Sequence, residues 1–344
     1  MRLLICTQVV DSQDSNLGFF HRWIEEFAKQ CEQVTVVCLR EGAHILPPNV
    51  RVVSLGKEAG TSRIERVYRF IRYIFAYRHD YDAVLVHMNP EYVLLGGFLW
   101  RRWGKKIGLW YAHCSRTHKL ARAVVLVDRV LTVAPDSFPI STPKLKALGH
   151  GIDTALFKPG LRQESLEMRI ITTGRVAESK HVVEMLNVLD VLFARGETFT
   201  FTIVGVATSP AEERYAARLT KEMTRRPYGE KVRLLGAVAH RELPAVLQNQ
   251  DLFFNFGSTG NMDKAGLEAL ACGIPVIATN GAFEQLLAPY GLYVSTMTAE
   301  VVADAIEAFM RRPDHPAIAT ALRNKIVADH SLTNLIPKIL IELQ

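Results

Sequence analysis

Four charged residues in the second half of the chain have types suited to one kind of ligand. Arg175 and Lys180 follow one apolar run, and Lys264 and Glu268 stand about one helical turn apart after another. A guanidinium can bind two phosphate oxygens, an ammonium supplies a point charge, and a carboxylate can accept hydrogen bonds from a ribose diol. This set predicts a nucleoside diphosphate site. The alternative is that the cations are ordinary surface residues.

Glycines and helix starts surround these charges. Gly174 precedes Arg175, Gly236 ends another apolar run, and Gly260 lies in the loop before Lys264. The helix N-termini expected near Lys180 and Lys264 would add N–H donors and partial positive charge, which favour phosphate. Neither G-x-G-x-x-G nor G-x-x-x-x-G-K-[ST] occurs, which weakens the dehydrogenase and P-loop kinase interpretations.

Apolar strand-like runs alternate with amphipathic helical stretches along most of the chain. The alternation predicts an α/β fold of two doubly wound Rossmann-like domains facing across a cleft. We expect a first domain over 1–150, a hinge over 151–165 and a second domain over 166–325. The helix over 326–344 is expected to pack back on the first domain.

Residues that follow strands in the first domain are also candidates, because open parallel sheets bind ligands at the carboxyl ends of their strands. Asp11 and His87 are candidates on this rule, Gly18 opens the first helix and could approach a phosphate, and His113 ends KIGLWYAH. Single histidines are more often structural, and that alternative stays open.

Composition limits the classes of protein that the chain can be. Its 344 residues with 49% hydrophobic content can form about two packed domains. No apolar run reaches the roughly 18 residues of a membrane span, and the start lacks signal-peptide features. Five cysteines without C-x-x-C spacing suit reduced thiols. We therefore expect a cytoplasmic protein.

The net charge of +6 is concentrated in the first half. Residues 63–122 hold twelve Lys and Arg against four Asp and Glu. This segment, with GGFLWRRWGKK, raises the hypothesis that the first domain rests on an anionic membrane at the inner face of the plasma membrane. The alternative is a solvated helix face. No nucleic-acid-binding motif accompanies the charge, so no nucleic acid partner is expected.

No metal site is expected from the spacing of carboxylates, histidines and cysteines. The D-x-D sequence Asp80-Tyr81-Asp82 precedes its strand and so falls at the amino end of the sheet. We interpret it as a solvated loop.

The sequence resembles the retaining family-4 glycosyltransferases of GT-B fold. The resemblance is carried by HGID (150–153), GRVAESK (174–180), VRLLGAV (232–238) and GSTGNMDKAGLEALACGIPVIATN (257–280). It implies that Arg175 and Lys180 hold the donor diphosphate and that Glu268 binds ribose. It also places Gly236 and Val238 at the donor and His113 near the reacting sugar. With this resemblance the first domain is expected to bind the acceptor, with Asp11 and His87 as acceptor-side candidates, and the second domain is expected to bind the donor. The chain departs from the E-x7-E motif, because Gly260 replaces the first Glu; Asp263 or Lys264 is then the candidate substitute at the donor sugar.

The resemblance implies a hexosyltransferase that moves a sugar from a nucleotide-diphosphate sugar to an acceptor hydroxyl with retention of configuration. The implied acceptor is a sugar or a lipid-linked glycan of cell-envelope polysaccharide or glycolipid synthesis, and no metal or other cofactor is required. His113, Arg175 and Lys180 are the implied catalytic residues. Two alternatives remain: a sugar-nucleotide epimerase of the same fold, and a non-catalytic sugar-nucleotide-binding protein.

Overall fold

The computed structural model describes residues 1–14, 17–161, 165–257 and 262–344, and these residues form two compact units. The first domain contains Met1–Asp153 together with His330–Gln344, and the second contains Thr154–Asp329. The chain thus leaves the first domain once and returns to it at its end. The sequence predicts a first domain that ends at 150 and a second that spans 166–325 after a hinge, whereas the second unit here spans Thr154–Asp329.

Strands and helices alternate in both domains. The strands are β1 Arg2–Val10, β2 Gln33–Glu41, β3 Val50–Ser54, β4 Ala83–His87, β5 Lys106–Trp110, β6 Arg129–Thr132, β7 Leu145–Ala147, β8 Met168–Thr173, β9 Phe199–Val204, β10 Val232–Gly236, β11 Leu252–Asn255 and β12 Val276–Ala278. The helices are α1 Phe19–Gln30, α2 Arg63–Ala76, α3 Pro90–Arg102, α4 His118–Leu126, α5 Val182–Ala194, α6 Pro210–Thr224, α7 Leu243–Leu247, α8 Lys264–Ala271, α9 Glu284–Leu287, α10 Ala299–Met310, α11 His315–His330 and α12 Leu332–Glu342.

The first domain is built on a parallel sheet with strand order β3-β2-β1-β4-β5-β6-β7. Alternate residues of the central strand β1 point to opposite faces. Leu3 and Ile5 join one apolar core, and Leu4 and Cys6 join the other. A strand that is buried on both faces has a continuous apolar sequence, and for this reason β1 can be predicted from the sequence.

Two strands of this sheet do not stand out in the sequence. β6 has four residues and closely follows the apolar helix α4. The spacing of apolar residues therefore changes from that of a helix to that of a strand within one apolar stretch. β7 has three residues at the sheet edge, two of them exposed. Short strands with little alternation carry too weak a pattern for prediction.

The C-terminal helix α12 completes one core of the first domain. Leu332, Leu335, Ile336 and Ile339 are each at most 2% exposed and join the cluster that contains Trp23 of α1. The link is continued by the backbone, since Ile152 N donates to His330 O (2.7 Å) and Leu332 N donates to Ile152 O (2.7 Å).

The second domain has its own parallel sheet, with strand order β10-β9-β8-β11-β12. Phe201 of β9 and Phe254 of β11 are buried in its interior, and their rings lie 5.7 Å apart. The order places the carboxyl ends of β10, β9, β8 and β11 side by side, at the edge where ligands bind in such sheets.

Two further observations concern the chain as a whole. All five cysteines are free thiols, as the sequence predicts, and burial raises the pKa of the Cys272 thiol to about 12. Across the described residues, no helix combines the length and the hydropathy that crossing a bilayer requires.

Candidate functional site

Three glycines link the ends of neighbouring strands in the second domain. Gly174, Gly205 and Gly236 follow or end β8, β9 and β10, with φ of +130°, +143° and +75°. Gly205 N donates to Gly236 O at 2.8 Å, and a Cβ on Gly205 would overlap Gly174 O. Only glycine fits at Gly205, because both its backbone angle and the close approach exclude a side chain.

Lys180 packs beside Gly174, the first of these three glycines. It ends the short 3-10 helix Glu178–Lys180, two residues before α5, and a Cβ on Gly174 would stand 3.3 Å from Lys180 Cε. The Lys180 ammonium forms an ion pair with Asp263 Oδ2, and each side chain is about one-fifth exposed. The structure therefore brings together three of the predicted site residues: Gly174, Lys180 and Asp263.

Asp263 also starts the predicted helix α8. Its Oδ1 accepts a hydrogen bond from Ala265 N (3.3 Å) as the N-cap. The helix spans Lys264–Ala271, as the sequence predicts. Its first turn therefore lies beside Lys180, which adds the partial positive charge of a helix N-terminus to that of the ammonium.

Glu268 lies one turn into α8 and is 7% exposed. Its Oε1 lies 2.9 Å from His240 Nε2, and the His240 ring packs on Phe157 with centroids 5.0 Å apart. His240 was not among the predicted site residues. It follows the end of β10, so the rule that selected Gly236 would have found it had the search extended four residues further.

Lys264 has an unusual environment for a lysine. Loss of hydration in its partly buried position lowers its pKa to about 8, and the nearby Glu268 carboxylate opposes that change. A cation that is costly to keep dehydrated gains from an anionic ligand, so this position favours negative charge at the start of α8.

Arg175 is directed elsewhere. Its Nη1 lies 2.8 Å from Glu212 Oε1 in the first turn of α6, and its side chain is 53% exposed. Glu212 also accepts hydrogen bonds from Thr208, which contribute to a lowered pKa of that carboxyl. Arg175 and Lys180, predicted to act as a pair, thus have separate partners in this structure, and Glu212 was not foreseen.

A buried amide borders the same site. Asn255 ends β11 and is 4% exposed, and among the described residues its Oδ1 has no hydrogen-bond partner. That oxygen lies 3.9 Å from where a Cβ on Gly257 would stand, and Asp263 Oδ2 lies 3.8 Å from the same point. The space beside Gly257 is therefore bordered by an unused acceptor and by the carboxylate that binds Lys180.

Val238 and Gly260 are two other predicted residues of this domain. Val238 is partly exposed two residues after β10. Gly260 lies outside the described residues. No group of three His, Cys, Asp or Glu with metal-binding geometry occurs over 1–14, 17–161, 165–257 and 262–344.

The D-x-D carboxylates are exposed to solvent and also form ion pairs. Asp82 forms an ion pair with Arg2 Nη2 (2.6 Å), and Asp80 forms one with Arg51 Nη1 (3.0 Å). Tyr81 between them is fully buried. These residues precede β4 at the amino edge of the sheet, as expected, and have a structural role there.

In the first domain, Asp11 and Gly18 lie in the loop from β1 to α1. Asp11 Oδ1 accepts a hydrogen bond from Gln13 N at 2.9 Å, and its side chain packs against Gly42. Gly18 is the N-cap of α1 and donates its N–H to Asp14 O (2.9 Å). Both residues therefore shape this loop.

The two predicted histidines have different environments. His87 ends β4 and is 3% exposed; its ring stacks on Phe20 with centroids 4.0 Å apart, and its Nδ1 lies 3.3 Å from Thr7 Oγ1. This burial fits the structural alternative better than acceptor binding. His113 is exposed three residues after β5, and its Nδ1 accepts from Ser115 N at 2.9 Å. The His113 side chain is thus exposed to solvent, and Nε2 is the ring nitrogen that does not accept this hydrogen bond.

Comparison with known proteins shows sequence similarity to glycosyltransferases. Residues 167–312, which lie within the second domain, match the family model of Glycosyl transferases group 1. The lipopolysaccharide core biosynthesis mannosyltransferase LpsB of Rhizobium meliloti (strain 1021) is 26% identical over 51% of this chain and 52% of its own. The GDP-mannose:cellobiosyl-diphosphopolyprenol alpha-mannosyltransferase of Xanthomonas campestris is 24% identical over 67% of this chain and 61% of its own. The matches thus span about half to three-fifths of the length of these relatives.

The fold comparison covers the whole chain. The crystal structure of Anabaena Alr3699/HepE in complex with UDP and glucose is 17% identical, with a TM-score of 0.76, and the match covers 100% of this chain and 99% of that one. The predicted fold class, two Rossmann-like α/β domains of GT-B type, is confirmed.

Proposed function

We propose that this protein is a glycosyltransferase that transfers a hexose from a nucleotide-diphosphate sugar to an acceptor hydroxyl, with the anomeric configuration retained. The observation that carries the proposal is the Lys180–Asp263 pair beside Gly174 at the start of α8. It lies inside the segment that matches Glycosyl transferases group 1. That match and the fold support the class of enzyme, and the residues support the site.

The proposed reaction places charge where the site is cationic. The bond between the anomeric carbon and the diphosphate breaks, and the leaving phosphate oxygen keeps the electron pair. The acceptor oxygen bonds to the same face of that carbon, and its proton passes to the departing phosphate. Lys180, Lys264 and the N-terminus of α8 are placed to stabilise the developing negative charge, so the reaction is proposed to need no metal.

Arg175 joins this site only by changing partners. Its ion pair with Glu212 is half exposed, and exposed pairs contribute only up to about 1 kcal/mol. A diphosphate can replace Glu212 at small cost, because it offers the guanidinium two oxygens at once. The Lys180–Asp263 pair is less exposed, at about one-fifth for each side chain, and the diphosphate is proposed to compete with Asp263 for Lys180, which leaves Asp263 to the donor sugar.

The remaining groups have roles that follow from their chemistry. Glu268 is proposed to accept hydrogen bonds from the ribose hydroxyls, with His240 holding its Oε1. Asn255 Oδ1 offers an acceptor to a donor-sugar hydroxyl. His113 is the proposed contact to the reacting sugar from the first domain.

The acceptor is proposed to be a lipid-linked or envelope glycan in the cytoplasm at the inner face of the membrane. The names of the two relatives, one of lipopolysaccharide synthesis and one acting on a diphosphopolyprenol, support this choice. α2 also exposes Ile64 (84%), Tyr68 (65%) and Phe75 (48%) among its arginines. Exposed apolar side chains interleaved with cations suit an anionic lipid surface.

The test is a thermal-shift screen with UDP, GDP and their hexose conjugates, followed by transfer assays with the stabilising donor. Lys180→Ala should weaken donor affinity about 10- to 100-fold through loss of one charge-assisted contact. Arg175→Ala should do so less, since it is more exposed. Lys221→Ala, on the exposed side of α6, is the matched control and should not change affinity.

Other outcomes decide between the alternatives. A changed sugar nucleotide formed without any acceptor would indicate an epimerase. If the protein bound the donor but neither transferred the sugar nor slowly hydrolysed the donor, it would be a non-catalytic binding protein. An inverted product would overturn retention, and loss of activity with a chelator would overturn metal independence.

A further inference from the structure

A pocket of about 500 Å³ lies within the first domain. It is bounded by α2, α3 and the start of α4, and we call it the α2–α3 pocket. Gln8 of β1, Leu39 of β2 and Asn89 just after β4 also line it. These strands are neighbours in the sheet, so the pocket opens at their carboxyl ends, where open α/β sheets bind ligands.

One side of the pocket is cationic. Arg63 and Arg66 stand three residues apart on α2 and therefore share a helix face. Across the described residues, neither guanidinium has a carboxylate within ion-pair distance. Lys119 of α4 is bonded to Glu91 Oε1 at 2.8 Å, which neutralises the acid of the lining. Among the described residues the pocket thus keeps two guanidiniums that form no direct ion pair, although the Glu91 carboxylate is close enough to Arg63 for an electrostatic interaction.

Beside the two arginines the lining is apolar, because Val67 and Phe70 follow Arg63 and Arg66 by one turn on the same face of α2. Leu55 and Leu95 also contribute to it, and Phe70 packs on Tyr92 with ring centroids 5.1 Å apart. The Tyr92 hydroxyl donates to Thr7 O at 3.3 Å, so its polar end is already satisfied by the protein. A small hydrated anion would leave this lining in contact with water, whereas an alkyl chain would cover it.

We infer that the α2–α3 pocket binds a phosphate ester of an aliphatic or isoprenoid alcohol, with the phosphate at Arg63 and Arg66 and the chain along Val67 and Leu95, which keep accessible surface in the pocket. Two guanidiniums on one helix face can hold a phosphate dianion through forked hydrogen bonds. The apolar lining then selects for the alkyl chain of the ester. That the ligand is the lipid end of the glycosyl acceptor rests on the proposed function; the binding itself does not.

The probe is dodecyl phosphate below its micelle concentration, measured by calorimetry with the full-length protein. We expect binding that neither inorganic phosphate nor decyl glucoside reproduces, because each supplies only half of the recognised chemistry. Equal binding of inorganic phosphate would overturn the chain contact, and equal binding of decyl glucoside would overturn the phosphate contact.

Variants locate the binding. The double variant Arg63→Gln/Arg66→Gln should weaken dodecyl phosphate binding at least about tenfold, as expected for two lost charged contacts. Arg72→Gln is the matched control, since this exposed arginine of α2 does not line the pocket. Leu95→Trp should also weaken binding by filling the pocket at a position that is already 36% exposed. Equal affinities of the double variant and Arg72→Gln would refute the site.

Two further measurements separate this inference from neighbouring ideas. If the double variant lost adsorption to anionic vesicles but still bound monomeric dodecyl phosphate, the arginines would serve a membrane surface and the pocket assignment would be wrong. UDP or GDP affinity should be unchanged in the double variant. If wild-type protein transferred no sugar yet bound dodecyl phosphate through Arg63 and Arg66, the proposed function would fail and the pocket would stand.

Discussion

Burial changes the acid–base behaviour of Lys264 at the start of α8, and this makes folding stability depend on pH. Its pKa is about 8 in the folded protein against an ordinary 10.5. Between these values the unfolded chain binds more protons, so this residue makes the free energy of unfolding rise with pH from about 8 to about 10.5. Below about pH 8 both states are protonated and its contribution is constant.

The corresponding measurement is urea unfolding at several pH values for wild type and Lys264→Met. We expect the free energy of unfolding of the variant to rise less than that of wild type between about pH 8 and pH 10.5. Methionine keeps the length of the side chain but has no titrating group. Lys221→Met, at an exposed position, should keep the wild-type slope. Identical slopes in wild type and Lys264→Met would show that Lys264 is hydrated like a surface lysine.

Glu268 supports a prediction about which part of a nucleotide it contacts. Removing the ribose 2′- and 3′-hydroxyls from the preferred nucleoside diphosphate should weaken binding to wild type by about tenfold or more, the value of a charged hydrogen bond. In Glu268→Gln the same change of ligand should cost less than about threefold, since the charged acceptor is gone. Competition binding with both ligands measures the difference, and an unchanged penalty in the variant would place the ribose elsewhere.

At the scale of secondary structure elements, the close contact between the loops after β8 and β9 is a point of high constraint. Gly205→Ala would bring a Cβ into Gly174 O and require a positive φ. Gly196→Ala is the matched control, because φ is +84° there but nothing lies within 4 Å. The control should cost about 1–2 kcal/mol for backbone conformation alone. Gly205→Ala should cost clearly more and also lower donor affinity, as followed by chemical denaturation and thermal shift.

These elements also show what the sequence could and could not predict. α8 and the strands around it were predictable because their apolar runs and glycines are local signals. The partners were not: Asp263 is 83 residues from Lys180, and Glu212 is 37 from Arg175. Such pairings depend on which strands become neighbours, and a single sequence does not contain that information. His240 was missed for another reason, since it lies four residues beyond a correctly predicted strand end.

At the scale of the whole molecule, the first domain depends on residues from both ends of the chain. Ile336 of α12 is fully buried in the core that contains Trp23, whereas Ile341 of the same helix is 67% exposed. Ile336→Ala should therefore destabilise the first domain by about 2–5 kcal/mol. Ile341→Ala should stay within about 0.5 kcal/mol of wild type. Denaturant unfolding checks both, and equal effects would mean that α12 is only loosely attached.

The same discontinuity bears on the order in which the protein matures during translation. Domains generally fold as units while the chain emerges from the ribosome at about 5–20 residues per second. Residues 154–329 form one uninterrupted unit, but Leu332, Leu335 and Ile336 are synthesised only after it. The second domain can thus fold completely first, while the N-terminal sheet keeps part of one apolar face uncovered until α12 is made. A chain truncated after residue 329 and released from the ribosome should accordingly resist protease in its second domain and bind chaperones through its first.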